Sequence, residues 1–273
     1  MKLFDSLTHV TRDGSWFGER QFDASLPRLL SDMAEADAYR ACLVSIADYV
    51  ENEVIIDSAR AHPDKFVPIA GLNPHVLATT RRVEAVLKQF KAQGFAGIKL
   101  HPRLNGYDPL HAKCIAAIDA AGELGLVVLI DTLFRRPGLA TRHAPDVIDH
   151  LAAACPHTRI QLLHGTGTTM MDLYEIVRCN EHLMLDLSFT MMRYQGSSRL
   201  DDDMHFLFKT TDQLVTIGSD FPEYSPAQML KRFESLTTGL EPRRLENIMH
   251  RNLERWFPLP SALTAPATAQ GTA

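Results

Sequence analysis

Imidazoles, carboxylates and an amine recur where apolar runs of this chain stop. Leu3 to Leu7 leads to Thr8 and His9, and Gly97 to Leu100 carries Lys99 and runs into His101-Pro102. Leu126 to Ile130 stops at Asp131, and Arg159 to Leu163 ends at His164-Gly165. Leu214 to Ile217 breaks at Gly218, with Asp220 just beyond and Pro222 after it. If each run is a buried strand, these side chains sit at the carboxyl edge of a sheet, where α/β proteins place their chemistry. Histidines, aspartates and a lysine at one rim are the ingredients of a divalent-metal hydrolytic centre, in which a metal-bound water loses a proton to a nearby base. Each residue also has a structural use: His9 as a hydrogen-bonded core histidine, Lys99 in an ion pair, Asp131 as a helix cap.

The elements that would position these residues alternate regularly. Helical spacing or capping signals mark Ser25 to Tyr39, Val50 to His62, and a segment opened by Asn73-Pro74 and closed by Gly94. Further helices are expected from an Asp108-Pro109 start to Gly122, over His143 to Ala154, Thr168 to Arg178 and Arg199 to Phe208, and in a closing pair, Pro226 to Thr237 and Pro242 to Trp256. Strands are expected between them, including Ala41 to Ile46, Phe66 to Gly71 and Leu183 to Leu187. About eight strands alternating with helices imply right-handed β-α units, a parallel sheet and closure into a (β/α)8 TIM barrel, an α/β fold.

At 273 residues the chain is long for an ordinary domain but normal for one such barrel, expected over residues 1–258. Residues 259–273 are small, polar and Pro-containing and read as a disordered tail. With 45% apolar and 22% charged residues and a net charge of -5, nothing points to a nucleic-acid partner. No apolar run reaches the roughly 20 residues of a membrane helix, and MKLFDSLTHV has an acid at position 5 and no long apolar core of a signal peptide, so a cytoplasmic protein is expected. Cys42, Cys114, Cys155 and Cys179 are widely separated and form no CxxC pair, which fits buried thiols better than a zinc cluster or a disulfide framework.

The stretches FDSLTHV, GIKLHP, VVLIDT, IQLLHGTG, LMLDLS and TIGSDFP, in that order, together resemble the amidohydrolase superfamily. They look most like its amidohydrolase-related branch, which includes aminocarboxymuconate-semialdehyde decarboxylase and related decarboxylases, lactonases and hydratases. NIMHRNLERWF is similar to that branch's closing helix. The resemblance implies a barrel with one divalent metal, usually zinc, held by an HxH after the first strand, a histidine ending the fifth and an aspartate ending the eighth. Carried over, the second histidine of HxH is His9, the sixth-strand histidine that helps to activate water is His164, and the eighth-strand aspartate is Asp220. The first histidine of HxH is Leu7 here, and the fifth-strand histidine is Asp131.

Leucine ligates nothing, so the expected metal set is His9, Asp131 and Asp220, with His164 nearby. Such an oxygen-rich set favours manganese, iron or magnesium over tightly held zinc. A metal-free site doing acid-base chemistry is the alternative. The expected activity is hydrolysis of a C-N or C-O bond, of amide or lactone type, in a small anionic metabolite. Asp220 would be ligand and general base, and His164 would act on the water. Lys99 and His101 would orient a substrate carboxylate or phosphate, and Arg103, Arg135 and Arg136 would supply a bidentate clamp. Non-oxidative decarboxylation, or elimination or hydration without a metal, is the alternative within the enzyme class. A barrel that has lost catalysis and serves as a binding or assembly subunit is the alternative outside it. Barrels of this branch often pair, so a homodimer is among the expectations, and the stretch Phe189 to Tyr194 is a candidate interface or lid.

Overall fold

The structure is a computed structural model that describes residues 2–18, 21–134 and 143–258. Eight strands, β1 (Leu3–Thr8), β2 (Ala38–Val44), β3 (Phe66–Leu72), β4 (Gly97–Leu100), β5 (Val127–Asp131), β6 (Ile160–Leu163), β7 (Leu183–Asp186) and β8 (Val215–Thr216), pair in sequence order, all parallel. The seam between β8 and β1 is closed by backbone hydrogen bonds. Ser6 N donates to Ile217 O at 3.2 Å, Asp220 N to Leu7 O at 3.0 Å and His9 N to Phe221 O at 2.9 Å. The fold is the (β/α)8 barrel that the alternation of runs implies. Although β8 itself is short, chain beyond it continues the seam, and this sets Asp220 beside His9.

Side chains alternate across each strand, so every strand feeds two cores. One set, including Phe4, Val44, Ile69, Leu129, Leu163 and Met184, fills the barrel's interior. The other, including Leu43, Ile98, Leu100, Val128, Ile130 and Leu162, packs under the helices. Each fully buried leucine, isoleucine or phenylalanine contributes roughly 1.5–3 kcal/mol of transfer free energy. Gly218, which ends the last apolar run, lies at the seam, where a Cβ would sit 2.8 Å from Leu7 N. A side chain there would force the seam apart.

Several elements depart from expectation. The Asn73-Pro74 segment is a single 3-10 turn, Pro74–Val76, and the α-helix begins afterwards at Thr80 under the Thr79 cap. It ends at Gly94 with φ 102°, as the glycine implies. Asp108 does not cap its helix: its carboxylate accepts from Leu110 N within the turn, and His111 caps the helix Ala112–Glu123. Thr168 to Arg178 is not one α-helix, because Gly165, Thr166 and Gly167 take positive φ and leave 3-10 turns before Tyr174–Arg178. The closing helix contains a π-turn, Asn247–Arg251. Short helices at Pro102–Asn105 and Thr190–Arg193 were not expected. The expected tail, 259–273, lies outside the described residues. No helix among those described is long and apolar enough to cross a membrane.

Candidate active site

The barrel brings His9, Lys99, His101, Arg103, His164 and Asp220 around one cavity of about 200 Å³. Asp131 lies in direct contact with three of these, in the wall. Arg135 and Arg136 lie outside the described residues. A larger cavity, about 310 Å³, adjoins it across Arg103 and Leu133.

Two groups of charges face each other. In the first, His9 Nδ1 lies 2.6 Å from Val44 O. A carbonyl oxygen can only accept, so Nδ1 carries the proton. Nε2 of the same ring is 3.5 Å from Lys99 Nζ and 3.5 Å from Asp220 Oδ1. Burial, with Lys99 beside it, lowers the His9 pKa against the pull of Asp220. With its proton on Nδ1 and its pKa lowered, the ring presents an unprotonated Nε2 beside Lys99 and Asp220. Burial also lowers Lys99, opposed by Asp220 and Asp131. For Asp220, burial works to raise the pKa, but the nearby His9 ring and the charges of His164 and Lys99 outweigh it and hold the carboxyl below its usual range.

In the second group, Asp131 Oδ2 meets His101 Nε2 at 3.3 Å, Arg103 Nη2 at 3.4 Å and His164 Nε2 at 3.4 Å. Its other oxygen accepts from Leu133 N at 3.1 Å. Burial would raise Asp131, yet His101, His164 and Arg103 draw it well below the carboxylate range. His101 accepts from Leu104 N at Nδ1 and is pushed down to about 3, chiefly by burial, so it is a neutral donor to Asp131. His164 is the opposite case. Burial disfavours its charge, but the hydrogen bond to Asp131 and the charges of Asp220 and Asp131 prevail, and its pKa is raised. With Nδ1 donating to Ser188 O at 3.1 Å, the ring is an imidazolium whose Nε2 proton sits at the cavity wall.

Backbone strain concentrates here. His164 (φ 65°), Thr166 (φ 60°), Phe189 (φ 59°) and Asp220 (φ 56°) all adopt the left-handed region, which costs a non-glycine residue on the order of 1 kcal/mol or more each. Strain of this kind persists where surrounding contacts fix a side chain's direction. Thr190 Oγ1 donates to His164 O at 2.6 Å, and the seam bond of Asp220 N fixes the other case.

Other residues line the cavity that the sequence did not mark as site residues, among them Trp16, Glu223 and Phe189. Trp16 stacks on His9 with centroids 5.2 Å apart, and its indole N-H donates to Glu223 Oε1 at 2.8 Å. Phe189 packs edge-on against His164 at 5.6 Å. They come from loops, where no periodicity marks them; the aromatic run Trp16-Phe17 and the acid three residues after Asp220 were the available signals. Phe189, expected at an interface or lid, forms part of the cavity wall.

The donors do not fit the divalent ion that the resemblance implies. Leu7 is fully buried in the apolar filling of the barrel and offers no lone pair. Asp131 Oδ2 is already shared by two rings and a guanidinium, and an ion held by His9 Nε2 and Asp220 Oδ1 would crowd Lys99 Nζ, 3.5 Å from that nitrogen. Among the described residues no group of three or more His, Cys, Asp or Glu is arranged to hold a metal ion.

A closed (β/α)8 barrel with histidines and acids at its strand ends is the class of protein that fold and site define. The sequence profile described as amidohydrolase matches residues 17–259, and the chain belongs to that family, in the amidohydrolase-related branch that its motifs resemble. Among solved structures, it is similar to an uncharacterized TIM-barrel protein from Bordetella bronchiseptica (TM-score 0.77, 18% identity, 94% of this chain and 98% of that one). It is also similar to a probable 2-pyrone-4,6-dicarboxylic acid hydrolase from Acinetobacter baumannii with citric acid bound (0.66, 15%, 94% and 99%). A third is a manganese complex of 5-carboxyvanillate decarboxylase from Novosphingobium aromaticivorans (0.67, 12%, 93% and 95%). None of the curated proteins compared matches the chain.

Proposed function

We propose that the protein hydrolyses a C-O bond of lactone type in a small carboxylate-bearing metabolite, using His9 as base and His164 as acid. The observation that supports this most is the contrast at Nε2 of two histidines bordering one cavity: both rings place Nδ1 on a backbone carbonyl, but His9 Nε2 faces Lys99 and Asp220 whereas His164 Nε2 faces Asp131. Pairs of titratable groups whose surroundings push them apart are the usual means of holding an acid and a base together near neutral pH.

In this reading a water on the cavity side bridges Asp220 Oδ1 and His9 Nε2, donating to both. Asp220 aligns the water, while His9 takes the proton; this moves the role of base from Asp220, where the motif pattern put it, to its neighbour. Hydroxide adds to the carbonyl carbon, and Lys99 Nζ donates to the developing oxyanion. The ring oxygen leaves with the proton of His164 Nε2, whose 3.4 Å contact with Asp131 is long enough to yield to a substrate oxygen. Water and a cyclic ester give a hydroxy acid, and every proton is accounted for. Arg103, which borders both cavities, would pair with the substrate carboxylate. The cluster of strained residues around a cavity favours catalysis over a purely binding or assembly role.

The test is turnover of a panel of small carboxylated lactones by protein stripped of metal with chelator, run beside carboxylates that release CO2. Ring opening retained after stripping is the expected result. Loss of turnover on stripping, restored by Mn²⁺ or Zn²⁺, overturns the mechanism, and CO2 release without ring opening overturns the assignment of the bond.

A further inference from the structure

Below the cavity, inside the barrel, lies a carboxylate that the proposed reaction does not use. Asp186, the last residue of β7, is fully buried, and both its oxygens are filled with donors. Oδ2 accepts from Thr216 Oγ1 at 2.9 Å, Gln161 Nε2 at 3.1 Å and Ser6 Oγ. Oδ1 accepts from Ser188 twice, from the backbone N-H at 3.1 Å and from the hydroxyl. The donors come from β1, β6, β8 and the turn after β7, so the carboxylate ties one side of the barrel to that turn. Ser188 in turn presents its carbonyl to His164 Nδ1 at 3.1 Å, with its hydroxyl oxygen 3.4 Å from the same nitrogen.

The geometry points to Asp186 as the positioning residue for His164: acting through Ser188, its buried carboxylate fixes the imidazole with Nδ1 donating inward and Nε2 turned to the cavity. Two donors of one residue on one carboxylate oxygen lock that residue's orientation, and a locked carbonyl is what a ring N-H needs in order to hold one direction. An amide is a poorer partner than the carboxylate. With its NH2 toward Ser188 it would face a backbone N-H that cannot turn away; with its NH2 toward Ser6, Gln161 and Thr216 those side chains must turn round to accept, and only a neutral oxygen is left for Ser188. The role given to His164 rests on the proposed function, whereas the hold on its ring does not.

The ring is therefore read directly, without substrate. In protein labelled with ¹⁵N-histidine, the His164 Nδ1-H signal is followed in the wild type, Asp186→Asn and Ser188→Ala, with the His9 Nδ1-H held by Val44 as internal reference. Asp186→Asn is expected to shift the His164 signal and speed its exchange with water about tenfold, the equivalent of one ordinary hydrogen bond, with His9 unchanged. Ser188→Ala, which keeps the backbone carbonyl, should give a smaller change in the same direction. An unchanged His164 signal in Asp186→Asn, or equal disturbance of both rings, overturns the inference; if Asp186→Asn does not fold, an unchanged signal in Ser188→Ala does so. A shifted His164 signal with unaltered turnover would remove His164 from the reaction and leave its link to Asp186 standing.

Discussion

Asp220→Asn is expected to lower kcat/KM by about a thousandfold while leaving the fold intact. The loss follows from its place: Asp220 is one of two acceptors, 3.5 Å apart, that the attacking water must bridge, and misaligned general-base catalysis typically forfeits about 10²- to 10⁴-fold. An amide at this position turns one acceptor into a donor and withdraws the anion that balances Lys99. Retention of the fold follows from the backbone. Asp220 has φ 56°, a region that asparagine tolerates as well as aspartate does, and its seam bond to Leu7 O uses the main chain. Circular dichroism should coincide with that of the wild type. Turnover within threefold of wild type would mean that the water is aligned elsewhere.

Asp131→Asn is expected to be costly in stability as well as in rate. Its buried carboxylate is the common acceptor for His101, Arg103 and His164, and removing one side of a buried charge pair costs about 3–5 kcal/mol. The Arg103 side chain is 34% exposed and can turn toward water, which favours the lower end, about 3 kcal/mol or roughly 10 °C in Tm for a chain of this size. The sign in pH follows from the two shifts. Asp131 is held below its ordinary 3.8, so its contribution is present above that value and lost in acid; His164 is raised above 6.5, so its contribution is present below 6.5 and lost as pH rises through the raised value. In Asp131→Asn the imidazolium loses its nearest anion and gives up its proton at lower pH. A Tm within 2 °C of wild type would show that Asp131 is not the acceptor that these groups share.

These residues were visible in the sequence because each ends or interrupts a buried run. His9, Lys99, Asp131 and His164 lie in or just after strands whose neighbours are apolar, and closure of the barrel converts distance along the chain into proximity. What the chain hides is the partner of each group. Asp131 reads alike as a metal ligand or as an acceptor for cations, and only the approach of His101, Arg103 and His164 to one oxygen separates the two. Asp186 sits inside LMLDLS, where it reads merely as the end of a strand; its donors come from three other strands and the following turn, which no local pattern links. Trp16 and Phe189 reach the cavity from loops, and loop paths depend on tertiary contacts rather than on propensity. The helix starts at Asn73-Pro74 and Asp108-Pro109 were misplaced for a related reason. Both acids and amides close short turns as readily as they cap helices, and here the turn won.

The pH dependence of kcat/KM in metal-stripped protein bears most directly on the pairing of a neutral His9 with a protonated His164. His9 is lowered from 6.5 and must be unprotonated, which gives an acid limb below 6.5; His164 is raised from 6.5 and must keep its proton, which gives an alkaline limb above 6.5. A bell with its maximum between the two limbs, whose alkaline side moves to lower pH in Asp131→Asn, is the predicted result. A rate that rises through neutrality to a plateau, with no alkaline limb in either protein, would contradict it.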